Sequence, residues 1–287
     1  MWFGGKGLFR DKLYPLLPKT GVYIEPFGGG ASVLMGREPS GVEVYNDLNS
    51  SLFDFFTVLS DKVLFEKFKR RVEALPRSRQ FFNEYRKKFK DEENLVKRVS
   101  MWFLIARQSF GGMCGKSWGF GSGAVSTSGG MSSPNSSWLG VIEKLPEIHA
   151  RLQRVQIENS PFQKIFERYD SSEALFYCDP PYCIETRKGG VYEHEMDTEQ
   201  HEELVNILNN LRGCAVLSGY KNEVYEGLRG YLRLDFKSEC FATGRTKTAN
   251  KATTDTTRVE SVYLCPKAQK RLKMGRQLSL FDVAAVK

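Results

Sequence analysis

The chain has 287 residues, with 42 Lys and Arg against 34 Asp and Glu, a formal net charge of +8 and 41% apolar residues. That length buries a substantial core, and the basic excess favours a polyanionic partner bound with salt-sensitive affinity. Six scattered cysteines without a Cys-x-x-Cys pair, and only three histidines, indicate neither a zinc site nor a disulfide scaffold. No signal peptide and no bilayer-length apolar run is present, so a cytoplasmic location with reduced thiols and no metal is expected.

In chain order, an apolar strand at residues 22–24 runs into Glu25-Pro26-Phe27-Gly28-Gly29-Gly30 and then into helix-compatible residues. Glycines there let the backbone approach a ligand closely, and the following helix start offers free N–H groups. A second short strand, residues 42–45, ends at Asn46-Asp47-Leu48-Asn49. Asp47 lies about 20 residues beyond the first strand, the offset at which an acidic side chain meets ribose hydroxyls in nucleotide-binding βαβ units. The glycines lack dinucleotide-fingerprint spacing, so a nucleoside with a small charged tail fits better than NAD. An amphipathic helix is predicted over residues 48–59.

Residues 59–153 then read as helical and charged, with a buried helix at 96–107 and a Gly/Ser-rich stretch at 111–140 suited to a mobile loop. The basic runs 67–71, 77–79 and 86–90 are interrupted by acidic or polar neighbours and read as solvated helical faces. Strands resume at 155–157, 175–178 and 214–218, with a helix at 198–211 behind an Asp197 cap. Residues 231–236 and 259–265 alternate as an antiparallel hairpin closing the sheet. The expected fold is α/β, a split domain of residues 1–58 and 154–266 around an inserted segment, 59–153, with a basic tail at 267–287.

The sharpest motif is Asp179-Pro180-Pro181-Tyr182, directly behind the apolar run Leu175-Phe176-Tyr177-Cys178. In open α/β sheets ligands bind at the carboxyl edge of the strands. An aromatic amino group is a poor nucleophile because its lone pair is delocalised into the ring. Asp179 and the Pro180 carbonyl can accept its two N–H bonds and re-localise that pair, while the Tyr182 ring stacks on the base. A plain strand-ending turn has the same Pro-Pro signature, but not the acid before it and the aromatic after it.

Together, Trp2-Phe3-Gly4-Gly5-Lys6, Glu25-Pro26-Phe27-Gly28-Gly29-Gly30, Asn46-Asp47 and Asp179-Pro180-Pro181-Tyr182 resemble the Dam-type DNA adenine-N6 methyltransferases, in order across most of the chain. The resemblance implies a Rossmann-like S-adenosylmethionine-dependent methyltransferase sheet with an inserted target-recognition segment. It implies S-adenosylmethionine contacts at Trp2, Phe3, Gly4, Lys6, Glu25, Pro26, Phe27, Gly28, Gly30, Asp47, Leu48 and Asp179. It also implies a catalytic motif, Asp179, Pro180, Pro181 and Tyr182, that receives an adenine flipped from double-stranded DNA. Two departures from the family's namesake, Gly115-Lys116 in place of an arginine and Ser218-Gly219-Tyr220 in place of Asn-His, keep recognition of GATC from carrying over.

The insertion is the expected place of DNA recognition, with Arg107, Ser109, Phe110 and Lys116 as candidate contacts and Phe110 as a candidate wedge for the emptied stack. Arg245 and Lys247 lie in a small-residue basic loop that suits phosphate contacts as well as it suits an exposed hairpin loop. Gln277-Leu278-Ser279-Leu280-Phe281 resembles the peptide that tethers bacterial replication and repair proteins to the sliding clamp, with Gln277, Leu278, Leu280 and Phe281 as its contacts. Two other functions fit the residues: methylation of an RNA or protein amide, and a catalytically inactive, clamp-tethered DNA-binding protein. Whether the protein serves restriction-modification, a phage or a solitary bacterial methylation system is open at this point.

Overall fold

The computed structural model of the chain describes residues 9–109, 117–119, 127–128, 130–182, 195–239 and 257–274. In order the elements are α1 (Arg10–Leu13), β1 (Val22–Glu25), α2 (Ser32–Gly36), β2 (Val42–Asn46), α3 (Ser50–Ser60), α4 (Lys62–Glu73), α5 (Arg79–Lys88) and α6 (Leu95–Gln108). Then come β3 (Thr127–Ser128), β4 (Met131–Ser132), α7 (Ser133–Glu143), α8 (Leu145–Leu152), β5 (Val155–Glu158), α9 (Phe162–Tyr169) and β6 (Ala174–Cys178). The last are α10 (Thr198–Asn210), β7 (Cys214–Gly219), β8 (Leu232–Glu239), β9 (Thr257–Leu264) and α11 (Pro266–Met274). Among the described residues no helix is long and apolar enough to cross a membrane.

The chain divides into two compact units: Met1–Gly5, Gly29–Met35 and Asn49–Asn159 form one, and Lys6–Gly28, Gly36–Leu48 and Ser160–Lys287 the other. In the second, six strands run in the order β2-β1-β6-β7-β9-β8. β1 is parallel to β2 and β6, and β6 is parallel to β7. β9 runs antiparallel to both β7 and β8, closing the sheet with the hairpin expected from sequence. Every residue of β6 and β7 is buried, as parallel strands covered on both faces require. Ile24, Val44, Phe176 and Val216 are 0% exposed, each worth roughly 1.5–3 kcal/mol of transfer free energy. Strand order reverses between β1 and β6, which makes their carboxyl ends the topological switch point.

α10 begins where its cap residue dictates. Asp197 accepts from the Gln200 backbone N–H at 2.8 Å, and the Gln200 side chain accepts from the Asp197 N–H at 3.1 Å, a reciprocal capping box. α3 starts at Ser50 rather than at Leu48, because the Asn49 side chain caps it through the Leu52 N–H at 3.1 Å.

The first unit is a helical assembly around aromatic side chains. Phe55 of α3 lies 5.3 Å from Trp102 and 5.5 Å from Phe103 of α6, and Phe68 of α4 lies 5.5 Å from Phe103. Nine residues of α6 are buried, in keeping with the buried helix predicted there. The Gly/Ser-rich stretch departs from expectation at its end: residues 133–140 belong to α7, not to a loop. Pro134 sits in the first turn, and Trp138 and Ile142, one turn apart, are both buried. The Trp138 indole donates to the Leu75 carbonyl at 3.2 Å and lies 5.6 Å from Phe103, which anchors a helix its flanking composition hides.

Candidate active site

The site grows from the carboxyl ends of β1, β2, β6 and β7, all pointing to one edge. Glu25 ends β1 and is only 2% exposed, with Oε1 accepting the Tyr23 hydroxyl at 2.7 Å. Burial, reinforced by Glu25, pushes that hydroxyl far above its ordinary range, so Tyr23 keeps its proton and holds the carboxylate in place. Beyond Pro26 the chain turns against β2. The Gly28 N–H donates to the Asn46 carbonyl at 2.8 Å, and a Cβ on Gly28 would sit 2.2 Å from Cε2 of the buried Tyr45. Only glycine tolerates that approach. Gly29 and Ala31 take left-handed backbone, φ 49° and 51°, the latter a strained choice for a residue with a side chain.

Asn46 clamps this turn to a third segment. Its Nδ2 donates to the Pro26 carbonyl at 2.8 Å and to the Ser160 carbonyl at 3.0 Å, and its Oδ1 accepts from the Ser160 N–H at 2.9 Å. The next residue, Asp47, is half-buried, and Leu48 is exposed. Phe27 packs on Phe162 with centroids 5.4 Å apart. Glu25 at the end of β1 is sheathed, while Asp47, just beyond the end of the adjacent parallel β2, is partly exposed. Asn46 stands beside Asp47 in the sequence motif, but its clamping contacts reach partners 20 and 114 residues away, which the local pattern does not show.

Asp179 follows β6 at the other side of the switch. The register Cys178↔Leu217 brings Ser218 alongside it, and the Ser218 hydroxyl donates to Asp179 Oδ1 at 2.9 Å. Ser218 Oγ lies 2.9 Å from the buried Tyr177 hydroxyl. Pro180 is buried, while Asp179, Pro181 and Tyr182 are half-buried. The Tyr182 hydroxyl donates to Glu260 Oε1 of β9 and stands 3.4 Å from Asp179 Oδ1. Its ring meets Tyr220 edge-on at 4.6 Å and 62°. Burial, then Asp179, then Glu260 raise the Tyr182 hydroxyl well above its usual value, so it acts as a proton donor and not as a phenolate. Burial also pushes the Cys178 thiol up, which removes it as a nucleophile. Behind the loop, His201 of α10 is 0% exposed, with Nδ1 3.1 Å from the Tyr225 hydroxyl. Its ring lies near the Pro181 backbone, with Nε2 outside hydrogen-bond geometry, and burial lowers its pKa.

Ser218, Tyr220 and Glu260 were not named from sequence as site residues. Their signal is the strand order, since Ser218↔Val262 and Gly219↔Ser261 carry Glu260 to the level of Tyr220. Among the described residues no group of three or more His, Cys, Asp or Glu is placed to share a metal ion.

The expected DNA contacts fare differently. Arg107 is half-buried near the end of α6, its Nε buried without a hydrogen-bond partner, and burial depresses the guanidinium pKa. Ser109 is 9% exposed and donates to the Ile105 carbonyl at 2.7 Å, so its hydroxyl closes the helix rather than facing an open surface. The reading of residues 77–79 as a solvated face fails at Arg77. It is half-buried, donates to the Gly119 and Pro134 carbonyls, and lies 5.3 Å from the Trp118 ring, with Arg79 at 4.8 Å from the same ring. Trp2, Phe3, Gly4, Lys6, Phe110, Lys116, Arg245, Lys247, Gln277, Leu278, Leu280 and Phe281 lie outside the described residues.

No curated protein sequence matches the chain. A model of the D12 class N6 adenine-specific DNA methyltransferases matches residues 2–249, a span that includes the glycine turn, Asp47 and the Asp179-Pro180-Pro181-Tyr182 edge. The chain belongs to that family, and its sheet is the Rossmann-like methyltransferase sheet.

Proposed function

We propose that the protein transfers a methyl group from S-adenosylmethionine to N6 of an adenine extruded from double-stranded DNA. The observation that carries this reading is Asp179 at the switch point, with Oδ1 already supplied by Ser218 and the half-buried Tyr182 ring beside it. An exocyclic amino group offers two N–H bonds, and the edge offers the Asp179 carboxylate and the Pro180 carbonyl to accept them. Two such bonds concentrate the nitrogen lone pair. Asp179 need not be a strong base, because the proton leaves once the methylated nitrogen is cationic and acidic. The half-buried Tyr182 ring supplies a stacking face to the base.

The acceptor chemistry fits the cofactor: Asp47 and Asp179, just beyond β2 and β6, are half-buried carboxylates at one sheet edge, suited to ribose hydroxyls and to the cationic ends of S-adenosylmethionine, with the buried Glu25 at the end of β1 between them. Trp2, Phe3, Gly4 and Lys6 are proposed to complete the site on the strength of the sequence motif. When bound, the cofactor supplies a methyl carbon on a sulfonium leaving group. The protein's share is alignment and polarisation. An adenine inside a duplex is out of reach of a sheet edge, so extrusion is part of the proposal. Arg107, Phe110, Lys116, Arg245 and Lys247 are proposed to hold the DNA, and Gln277 to Phe281 to tether the protein to the sliding clamp.

The test is transfer of labelled methyl from S-adenosylmethionine to unmethylated genomic DNA, with RNA and protein offered in competition and nucleosides analysed afterwards. N6-methyladenine confined to a defined DNA motif is the expected product. Label in RNA or in a protein amide would move the reaction to that substrate. Cofactor binding with no transfer to any of the three would leave the inactive, clamp-tethered reading.

A further inference from the structure

Glu260 is a half-buried carboxylate in the middle of β9, where strand alternation sends its side chain and that of Ser261 to opposite faces. Ser261 is 0% exposed and donates to Asp235 at 2.7 Å. Glu260 faces the other way and accepts the Tyr182 hydroxyl proton. Tyr182 has one such proton and two carboxylates near its oxygen, and the 3.4 Å separation from Asp179 Oδ1 marks the weaker contact. Glu260 therefore takes the proton. Asp179 Oδ1 accepts from the Ser218 hydroxyl at 2.9 Å, the shorter of these two contacts on that oxygen.

The tie has a second effect. A tyrosine ring free to rotate about its side-chain bonds presents its face only part of the time. Fastened at its hydroxyl by Glu260 and met edge-on by Tyr220 at 4.6 Å, the Tyr182 ring is set before a base arrives. The pKa of Tyr182, raised by burial and by both carboxylates, keeps the hydroxyl protonated and able to donate.

We propose that Glu260 is a positioning residue for the methyl acceptor: it fixes the plane of the Tyr182 ring and draws the Tyr182 hydroxyl proton away from Asp179. The proposal rests on the reading of Asp179 to Tyr182 as the adenine site. It goes beyond that reading by assigning a role to a residue on an antiparallel strand some 80 positions away in the chain, at a separation of 78 from Tyr182.

The experiment compares wild type, Glu260→Leu, Glu260→Gln, Tyr182→Phe and the double variant Tyr182→Phe/Glu260→Leu in single-turnover methyl transfer, with DNA affinity and melting temperature measured alongside. Glu260→Leu and Tyr182→Phe should each slow transfer about tenfold or more, the scale of one lost charge-assisted hydrogen bond, while the DNA Kd stays within about twofold. The double variant should be no slower than the slower single variant, because both changes break one bond. Glu260→Gln should recover most of the loss, since the amide oxygen still accepts from the hydroxyl. Transfer by Glu260→Leu at the wild-type rate, losses that multiply in the double variant, or Glu260→Gln as slow as Glu260→Leu would each overturn the assignment. An inactive wild type would instead take down the adenine-site reading and this inference with it; a wild type that methylates beside an unimpaired Glu260→Leu sinks the inference alone.

Discussion

Each of the two units has its own kind of internal support. The sheet-bearing unit is fixed by backbone ladders and buried polar clamps such as Asn46, and the groups of the candidate site sit at strand ends, where register brings Ser218 within hydrogen-bonding distance of Asp179. The helical unit is centred on interlocking aromatic rings around Phe103, and polar ties such as Arg98 to Asp54 and Trp138 to the Leu75 carbonyl fasten helices to that core. A polar clamp defines one geometry and little volume; an aromatic core defines volume and tolerates small adjustments of angle. Reactive geometry belongs with the first kind of support, because alignment errors near 1 Å cost a catalyst heavily.

Truncations should separate the two kinds. Trp138→Ala empties a buried site between the Leu75 carbonyl and Phe103 and should cost about 3–5 kcal/mol of stability by denaturant melts. Trp138→Phe should cost much less, and equal costs for the two would mean that the indole N–H, not ring volume, holds α7. Asn46→Ala removes three hydrogen bonds from a side chain 1% exposed and leaves two carbonyls and one N–H to find water. About 2–4 kcal/mol should be lost, together with cofactor affinity through Asp47, as read by calorimetry. Unchanged affinity would mean that Asp47 does not depend on the clamp.

Acid offers a gentler probe of the sheet unit. The native pKa of His201 is lowered by burial, so the unfolded chain binds the extra proton first. The sign follows directly: His201 favours the fold above its unfolded pKa of about 6.5, and its contribution against protonation is lost as pH falls below that value. Melting temperature should drop as pH falls below about 6.5 in wild type and drop less in His201→Gln; identical pH profiles would exclude His201 as the source. The smallest effect is local, with Asp197→Ala removing the α10 capping box for about 1 kcal/mol. A null result there would show that packing alone starts the helix.

Legibility in the sequence followed the range of the contacts. The Asp197 cap lies three residues from its partner, and the residue string alone shows it. The Asp179-Pro180-Pro181-Tyr182 motif behind an apolar run was likewise local, as was the alternation of the closing hairpin. The placement of Ser218 and Glu260 beside Asp179 and Tyr182 depends on β7 lying between β6 and β9, which no local pattern encodes. The start of α7 was hidden for another reason: glycine and serine dominate the stretch before it, and two apolar residues one turn apart, Trp138 and Ile142, outweigh that composition by burial. Arg77 misled in the opposite sense, since a basic run reads as solvated until its carbonyl partners on distant segments are in place.

The measurement that bears most directly on the account is single-turnover methyl transfer by Asp179→Ala, with DNA affinity measured on the same preparation. Loss of the carboxylate removes the acceptor proposed to polarise the amino group, so transfer should fall by a factor on the order of a thousand or more while the DNA Kd changes by no more than a few-fold. Transfer within about tenfold of wild type, from a folded variant that still binds DNA, would contradict the placement of the chemistry at the end of β6.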